Sequence, residues 1–188
     1  MATYTHIDIL RALPGENFQC IVYGSPRALQ RPRFFQRRSP AVGRPVRNHR
    51  NTGVYNPSFA LQAEMRDLIV SALPQTPGIF FPEAVPLKLV VKFYMPRPEN
   101  HFPRKDAISR TLPNFVDRII DNVLPRYRST PHLRTPDIDN MVKFVLDYPL
   151  QGVVYANDSF VTEITAEKMF DDKNECTGRT YIEVTIAE

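Results

Sequence analysis

A chain of 188 residues, 43% hydrophobic and 23% charged, has the length and composition of one soluble globular domain with a real hydrophobic core. No apolar run approaches the length of a membrane span, so a membrane protein of the helical kind is excluded. Lys and Arg number 24 against 20 Asp and Glu, and the excess is concentrated: from Arg27 to Arg50, through Arg31, Arg33, Arg37, Arg38, Arg44 and Arg47, there is no acidic residue. A polyanion is the natural partner of such a segment.

The N-terminus, with Asp8 and Glu16, lacks the pattern of a presequence, and Cys20 and Cys176 stand far apart without the short Cys or His spacings of a zinc site. A soluble, intracellular protein is expected, cytoplasmic if bacterial or viral. The first strand is expected over Phe18–Tyr23, where Phe18, Cys20 and Val22 alternate with Gln19, Ile21 and Tyr23. From about 24 to 53, prolines and glycines among the arginines oppose helix and central strand and predict an extended loop. Phe34 and Phe35 within it suit either stacking on unpaired bases or anchoring the loop to the core.

Asn56-Pro57 reads as a helix start, with the helix running to about Leu73 and Leu61, Met65, Leu68, Ile69 and Ala72 on its buried stripe. Leu87 to Met95 alternates apolar with mixed residues until Pro96-Arg97-Pro98, a second strand. The stretch from about 99 to 134 is irregular, with Phe115, Ile119 and Val123 at spacing for a short helix and Asp117 and Asp121 on a solvated face. Two period-two segments, Phe160 to Ile164 and Ile182 to Ile186, flank a turn-like stretch and predict a C-terminal hairpin. The fold class expected is α/β: a single small domain, 1–188, with a mixed, antiparallel-rich sheet packed by helices.

The chemistry is concentrated in Thr135-Pro136-Asp137-Ile138-Asp139-Asn140-Met141-Val142-Lys143-Phe144-Val145-Leu146-Asp147. Ile138, Met141, Val142, Val145 and Leu146 form an apolar helical stripe, and Asp137 and Asp139 converge only if Asp137 lies at or just before the first helical residue. Lys143 is one turn beyond Asp139, on the same face. Asp158, in the polar turn Tyr155-Ala156-Asn157-Asp158-Ser159, is placed to meet them from a strand edge. Hard carboxylate oxygens with a substrate phosphate suit Mg²⁺, with Mn²⁺ as a substitute, and a nearby ammonium suits a phosphodiester whose charge grows in the transition state. Taken singly, Asp137 reads as an N-cap, Asp139 as the ion-pair mate of Lys143, and Asp147 as a solvated or structural acid. Of His6, His49, His101 and His132, only His132 lies near the acids in sequence.

This stretch, followed by Gly152-Val153-Val154-Tyr155-Ala156-Asn157-Asp158-Ser159, resembles the RusA-type Holliday-junction resolvases. Gly24-Ser25-Pro26 with Arg31-Pro32-Arg33-Phe34, and Phe93-Tyr94-Met95-Pro96-Arg97-Pro98, resemble the family's other motifs in the expected order. The resemblance implies a magnesium-dependent, homodimeric endodeoxyribonuclease that cuts opposed strands of four-way junctions. Asp137, Asp139 and Asp158 match its catalytic and metal-binding acids, and Lys143 its lysine. Arg27, Arg31, Arg33, Phe34, Arg37, Arg38 and Arg97 are the expected DNA contacts. Asn157 stands where the family often has a further acid, Pro149 falls where its helix usually continues, and the segment between Pro98 and Thr135 is longer than in most members. A broader branched-DNA or flap nuclease, or a catalytically silent DNA-binding module on the same fold, are the alternatives.

Overall fold

Leu87–Met95 forms a strand with the predicted bounds, and its odd-numbered residues are the buried ones. The computed structural model describes residues 4–36, 52–73, 80–81, 85–103, 120–173 and 176–187, apart from the side chains at 34–36, 52–54 and 120. In chain order the strands are β1 (Tyr4–Leu13), β2 (Asn17–Gly24), β3 (Arg33–Gln36), β4 (Thr52–Tyr55), β5 (Leu87–Met95), β6 (Val161–Phe170) and β7 (Arg179–Ile186). Among the described residues three α-helices accompany them: α1 (Phe59–Ala72), α2 (Pro125–Arg128) and α3 (Ile138–Val145).

A mixed five-stranded sheet runs β1-β2-β7-β5-β6, antiparallel except for the parallel pair β5 and β6. Phe18, Cys20 and Val22 of β2, Leu89, Val91 and Phe93 of β5, and Ile182 and Val184 of β7 share one buried face. Met65 and Ile69 of α1 and Met141, Phe144 and Val145 of α3 close the core over it. The opposite face carries exposed ion pairs, Lys88–Glu163 at 3.2 Å and Lys92–Glu167 at 3.7 Å, which at such exposure contribute little stability. Gly178 ties the sheet's end together: its carbonyl accepts from Gly24 N, its amide donates to Asp171, and at φ 101° a Cβ would meet Pro26, Pro96 and the Tyr94 carbonyl at 3.1 Å.

Four sequence expectations change. Phe18–Tyr23 is the second strand, because β1 precedes it and forms a hairpin with β2; β1 is an edge strand with little burial, and its alternation is correspondingly weak. The C-terminal segments are strands but not a hairpin: β6 and β7 take opposite edges of β5, and the period-two signal reports a strand's faces, not its neighbours. The first helix starts two residues late, at Phe59, since Asn56 Oδ1 accepts from Ser58 N in a turn before it. The arginine segment holds a short antiparallel ribbon of β3 and β4, a local pairing that composition did not predict. Phe115, Asp117 and Ile119 lie outside the described residues. Val123 is buried in a small cluster with Phe102 and Cys176.

Candidate active site

Asp137 sits at the N-cap of α3 with extended backbone, its carbonyl accepting from Met141 N at 3.1 Å while its side chain makes no cap hydrogen bond. Its carboxylate is exposed and unspent. Asp139, in the first turn, and Lys143, in the last, are both exposed on the helix; no ion pair joins them. The α3 residues that bury are Met141, Val142, Phe144 and Val145; Ile138, expected on the stripe, is 37% exposed and Phe144 takes its place.

Beyond Val145 the helix widens into a π turn, Leu146–Leu150, around Pro149, which has no amide to continue an α-helical ladder. Side chains take up the carbonyls there. Gln62 Nε2 donates to Phe144 O at 3.0 Å, Tyr155 Oη to Leu146 O at 3.0 Å, and Arg66 to Tyr148 O and Gln151 O with its guanidinium over the Tyr148 ring. Gln62 lies outside the apolar stripe read for α1, yet it is buried: only the tertiary structure supplies the carbonyl that satisfies it.

The π turn carries Asp147. Burial, then the negative charge of Asp158, raise its carboxyl above the usual range, and Lys143 partly offsets them. Tyr155 is pushed up by burial and by the same two carboxylates. Asp147, set aside by sequence reasoning, therefore shares a field with Lys143 and Asp158; the signal available in sequence was the i, i+4, i+8 stripe Asp139, Lys143, Asp147. Asp158 itself is exposed in the short 3₁₀ helix Asp158–Phe160, and Asn157 caps that helix by accepting from Ser159 N at 2.9 Å.

The start of α3 is held from the other end of β6. Lys168 Nζ donates to Arg134 O and to Pro136 O, both at 2.8 Å. Strand β6 from Val161 to Lys168 spans about 23 Å, and α3 with its π turn carries the chain back about 15 Å from Asp137 to Asp147. Asp137 and Asp139 thus lie toward one end of α3, and Asp147 and Asp158 toward the other. Among the described residues no three His, Cys, Asp or Glu side chains are arranged to hold a metal ion.

The arginine segment passes close to α3. Leu29 N donates to Asn140 O at 2.8 Å and Gln30 N to Ser58 Oγ at 2.9 Å, so Arg27, Arg31 and Arg33, all exposed, flank the first turns of α3 and α1. Phe34 lies on β3 with its side chain outside the described residues, as are Arg37 and Arg38 altogether. Arg97, expected on DNA, is instead 5% exposed: Nε donates to Asp171 O, and the terminal nitrogens to Tyr127 O and Arg128 O. Its guanidinium is committed to the fold, because a buried cation must find acceptors within the protein.

A family model described as endodeoxyribonuclease RusA matches residues 25–185, which covers the arginine segment, α3 and Asp158. The chain belongs to the RusA endodeoxyribonuclease family. No curated protein matches it. Membership of a family of Holliday-junction-resolving endonucleases makes branched DNA the family substrate, and the exposed carboxylates, lysine and arginines of this RusA-family chain lie on its aqueous surface, as such a substrate requires. Among the described residues no helix is long and apolar enough to cross a membrane.

Proposed function

We propose that this RusA-family chain is a magnesium-dependent, structure-selective endonuclease that resolves four-way DNA junctions by paired phosphodiester hydrolysis, acting as a homodimer. The observation that carries this reading is the unspent state of Asp137 and Asp139 beside Lys143 on a helix whose first turn is bonded to the arginine segment. Free carboxylates beside exposed arginines on a backbone-tethered segment suit a phosphate substrate; in a purely structural helix start they would be capped or paired.

Asp137, Asp139 and Asp158 are the residues whose hard oxygens suit Mg²⁺, or Mn²⁺ in its place. Such an ion supplies Lewis acidity at the scissile phosphate. The donor chemistry fits a hard divalent cation, although among the described residues no three His, Cys, Asp or Glu side chains are arranged to hold one. Lys143 offers an ammonium to a phosphate oxygen as negative charge builds on it. Arg27, Arg31 and Arg33 grip the backbone without reading sequence. Two such sites related by a two-fold axis match the symmetry of a four-way junction and the paired cuts that resolve it.

Cleavage of a mobile four-way junction with Mg²⁺ tests the reading. Asp139→Asn should abolish cleavage and leave junction binding in place; unchanged cleavage would sink the site assignment. Binding without cleavage across Mg²⁺ and Mn²⁺ titrations would make the chain a binding module, and equal cutting of flaps and junctions would make it a general branched-DNA nuclease.

A further inference from the structure

Leu133 is 86% exposed, the most exposed of the large hydrophobic side chains among the described residues. Its neighbours on both sides are fixed. His132 lies edge-on to Phe170 at 4.7 Å between ring centroids, and the carbonyl of Arg134 accepts from Lys168 Nζ at 2.8 Å. A single exposed leucine on a loose loop is ordinary surface. Here the chain is packed on β6 one residue before the leucine and bonded to it one residue after, so an ordered support holds an apolar side chain out in water.

The support extends back along the chain. Arg97 donates to Tyr127 O at 2.8 Å and to Arg128 O at 3.3 Å, His101 stacks on the Tyr127 ring at 4.3 Å, and Leu124 N donates to His101 O at 2.9 Å. Helix α2 is thereby fastened just beyond the end of β5, as the start of α3 is fastened to β6. Charge on this arm has one sign: from Asn122 to Pro136 there are Arg126, Arg128 and Arg134 and no acidic residue. All three arginines are exposed, and Arg128 also reaches the carbonyls of Val123 and Asp121 at 3.4 Å.

We propose that residues 125–135 form a second DNA contact, separate from the arginine segment, in which Leu133 enters a base step at the branch point and Arg126 and Arg134 hold the phosphates beside it. The ligand rests on the nuclease reading; the rigid, exposed leucine does not. Four residues separate Leu133 from Asp137, at most about 14 Å of chain or about four base steps along one strand. Leucine is among the side chains that proteins insert between base pairs, unstacking a step and kinking the duplex. Unstacking costs least where pairing is already interrupted, so an inserted leucine favours a branch point over continuous duplex. The carbonyl bonds to Lys168 and Arg97 keep such a wedge stiff, and the arginines fix it against the backbone without reading sequence. A protein partner would also cover a leucine, but three arginines and the nearness of Asp137 favour a polyanion.

Permanganate footprinting of a four-way junction with thymines at the crossover, bound by the full-length chain with Ca²⁺ in place of Mg²⁺, reads the unstacking directly. The unaltered chain should raise the reactivity of a crossover thymine about tenfold over the free junction. Leu133→Ser should bring it back to within about twofold of the free junction, with the melting temperature unchanged, and Leu133→Met should keep most of the rise. No rise with the unaltered chain, or an equal rise with Leu133→Ser, overturns the inference and leaves the leucine to a protein partner. A Leu133-dependent rise without cutting of any branched DNA in Mg²⁺ leaves the wedge standing and removes the nuclease reading instead. Arg126→Ala with Arg134→Ala should flatten the salt slope of junction binding by about two; an unchanged slope also overturns the inference, since the arm would then hold no phosphate.

Discussion

Lys168 Nζ meets the carbonyl oxygen of Pro136 at 2.8 Å, one residue before Asp137. With its second bond to Arg134 O, the ammonium pins the segment leading into α3 against β6. Two charge-assisted bonds from one side chain define where the helix begins.

Replacing Lys168 by Met keeps the stem and removes both bonds. Asp137 then loses its fixed position, and cleavage under single-turnover conditions should fall about tenfold or more. Junction affinity should stay within about twofold, since the arginine segment is untouched. Lys168→Arg, which can reach the same carbonyls, should recover much of the rate. Equal rates for the Met variant and the unaltered protein would show that the tether does not position the acid.

Arg66 acts at the far end of the same helix, where it satisfies Tyr148 O and Gln151 O and lies 4.9 Å from the Tyr148 ring centroid. Arg66→Ala leaves two carbonyls of the π turn without their donor, a loss of about 2–3 kcal/mol. Urea denaturation measures it directly; a cost below about 0.5 kcal/mol would mean that water replaces the guanidinium without penalty.

Arg97 and the pair Arg31 and Arg33 should separate cleanly. Arg97→Met strips three backbone carbonyls of a buried donor and should lower stability by about 2–4 kcal/mol, while the salt dependence of junction binding in the folded variant stays unchanged. Arg31→Ala with Arg33→Ala, both on exposed positions, should leave the melting temperature alone and flatten the salt slope by about two. Binding isotherms across a salt series decide the matter, and a flattened slope for Arg97→Met would return that residue to the interface.

Acid should loosen the region around Phe170. His101 stacks on Tyr127 and lies edge-on to Phe170, His132 is edge-on to the same ring, and each has a buried Nδ1 without a partner. Burial lowers both pKa values first, with Arg97 next for His101 and Lys168 next for His132. A folded pKa below the unfolded value of about 6.5 means that both states are neutral above that pH, and the unfolded chain takes up protons first as pH falls. Stability is therefore full above about 6.5 and declines from there down through the lowered folded pKa values. Denaturation at pH 7.5 and 5.5 should show the loss, and His101→Phe should shrink it; an undiminished difference in that variant would place the acid sensitivity elsewhere.

Local information made much of the candidate site legible. The alternation in β2 and β5 named the face that meets the core, because a strand's side chains alternate whatever its neighbours. Asp137 at the start of a helix, Asp139 in its first turn and Lys143 one turn on follow from helical spacing alone. What the chain's order could not carry is which distant groups come together. Pairing of β6 and β7 on opposite edges of β5, burial of Gln62 against Phe144 O, and the withdrawal of Arg97 from the surface are all decided by partners at least 30 residues away. The acids show the division most sharply. Sequence supplied three carboxylates and a lysine, whereas the antiparallel run of α3 along β6 separated Asp158 from Asp137 and put Asp147 beside it, since a carboxylate's neighbours depend on the direction in which its element packs.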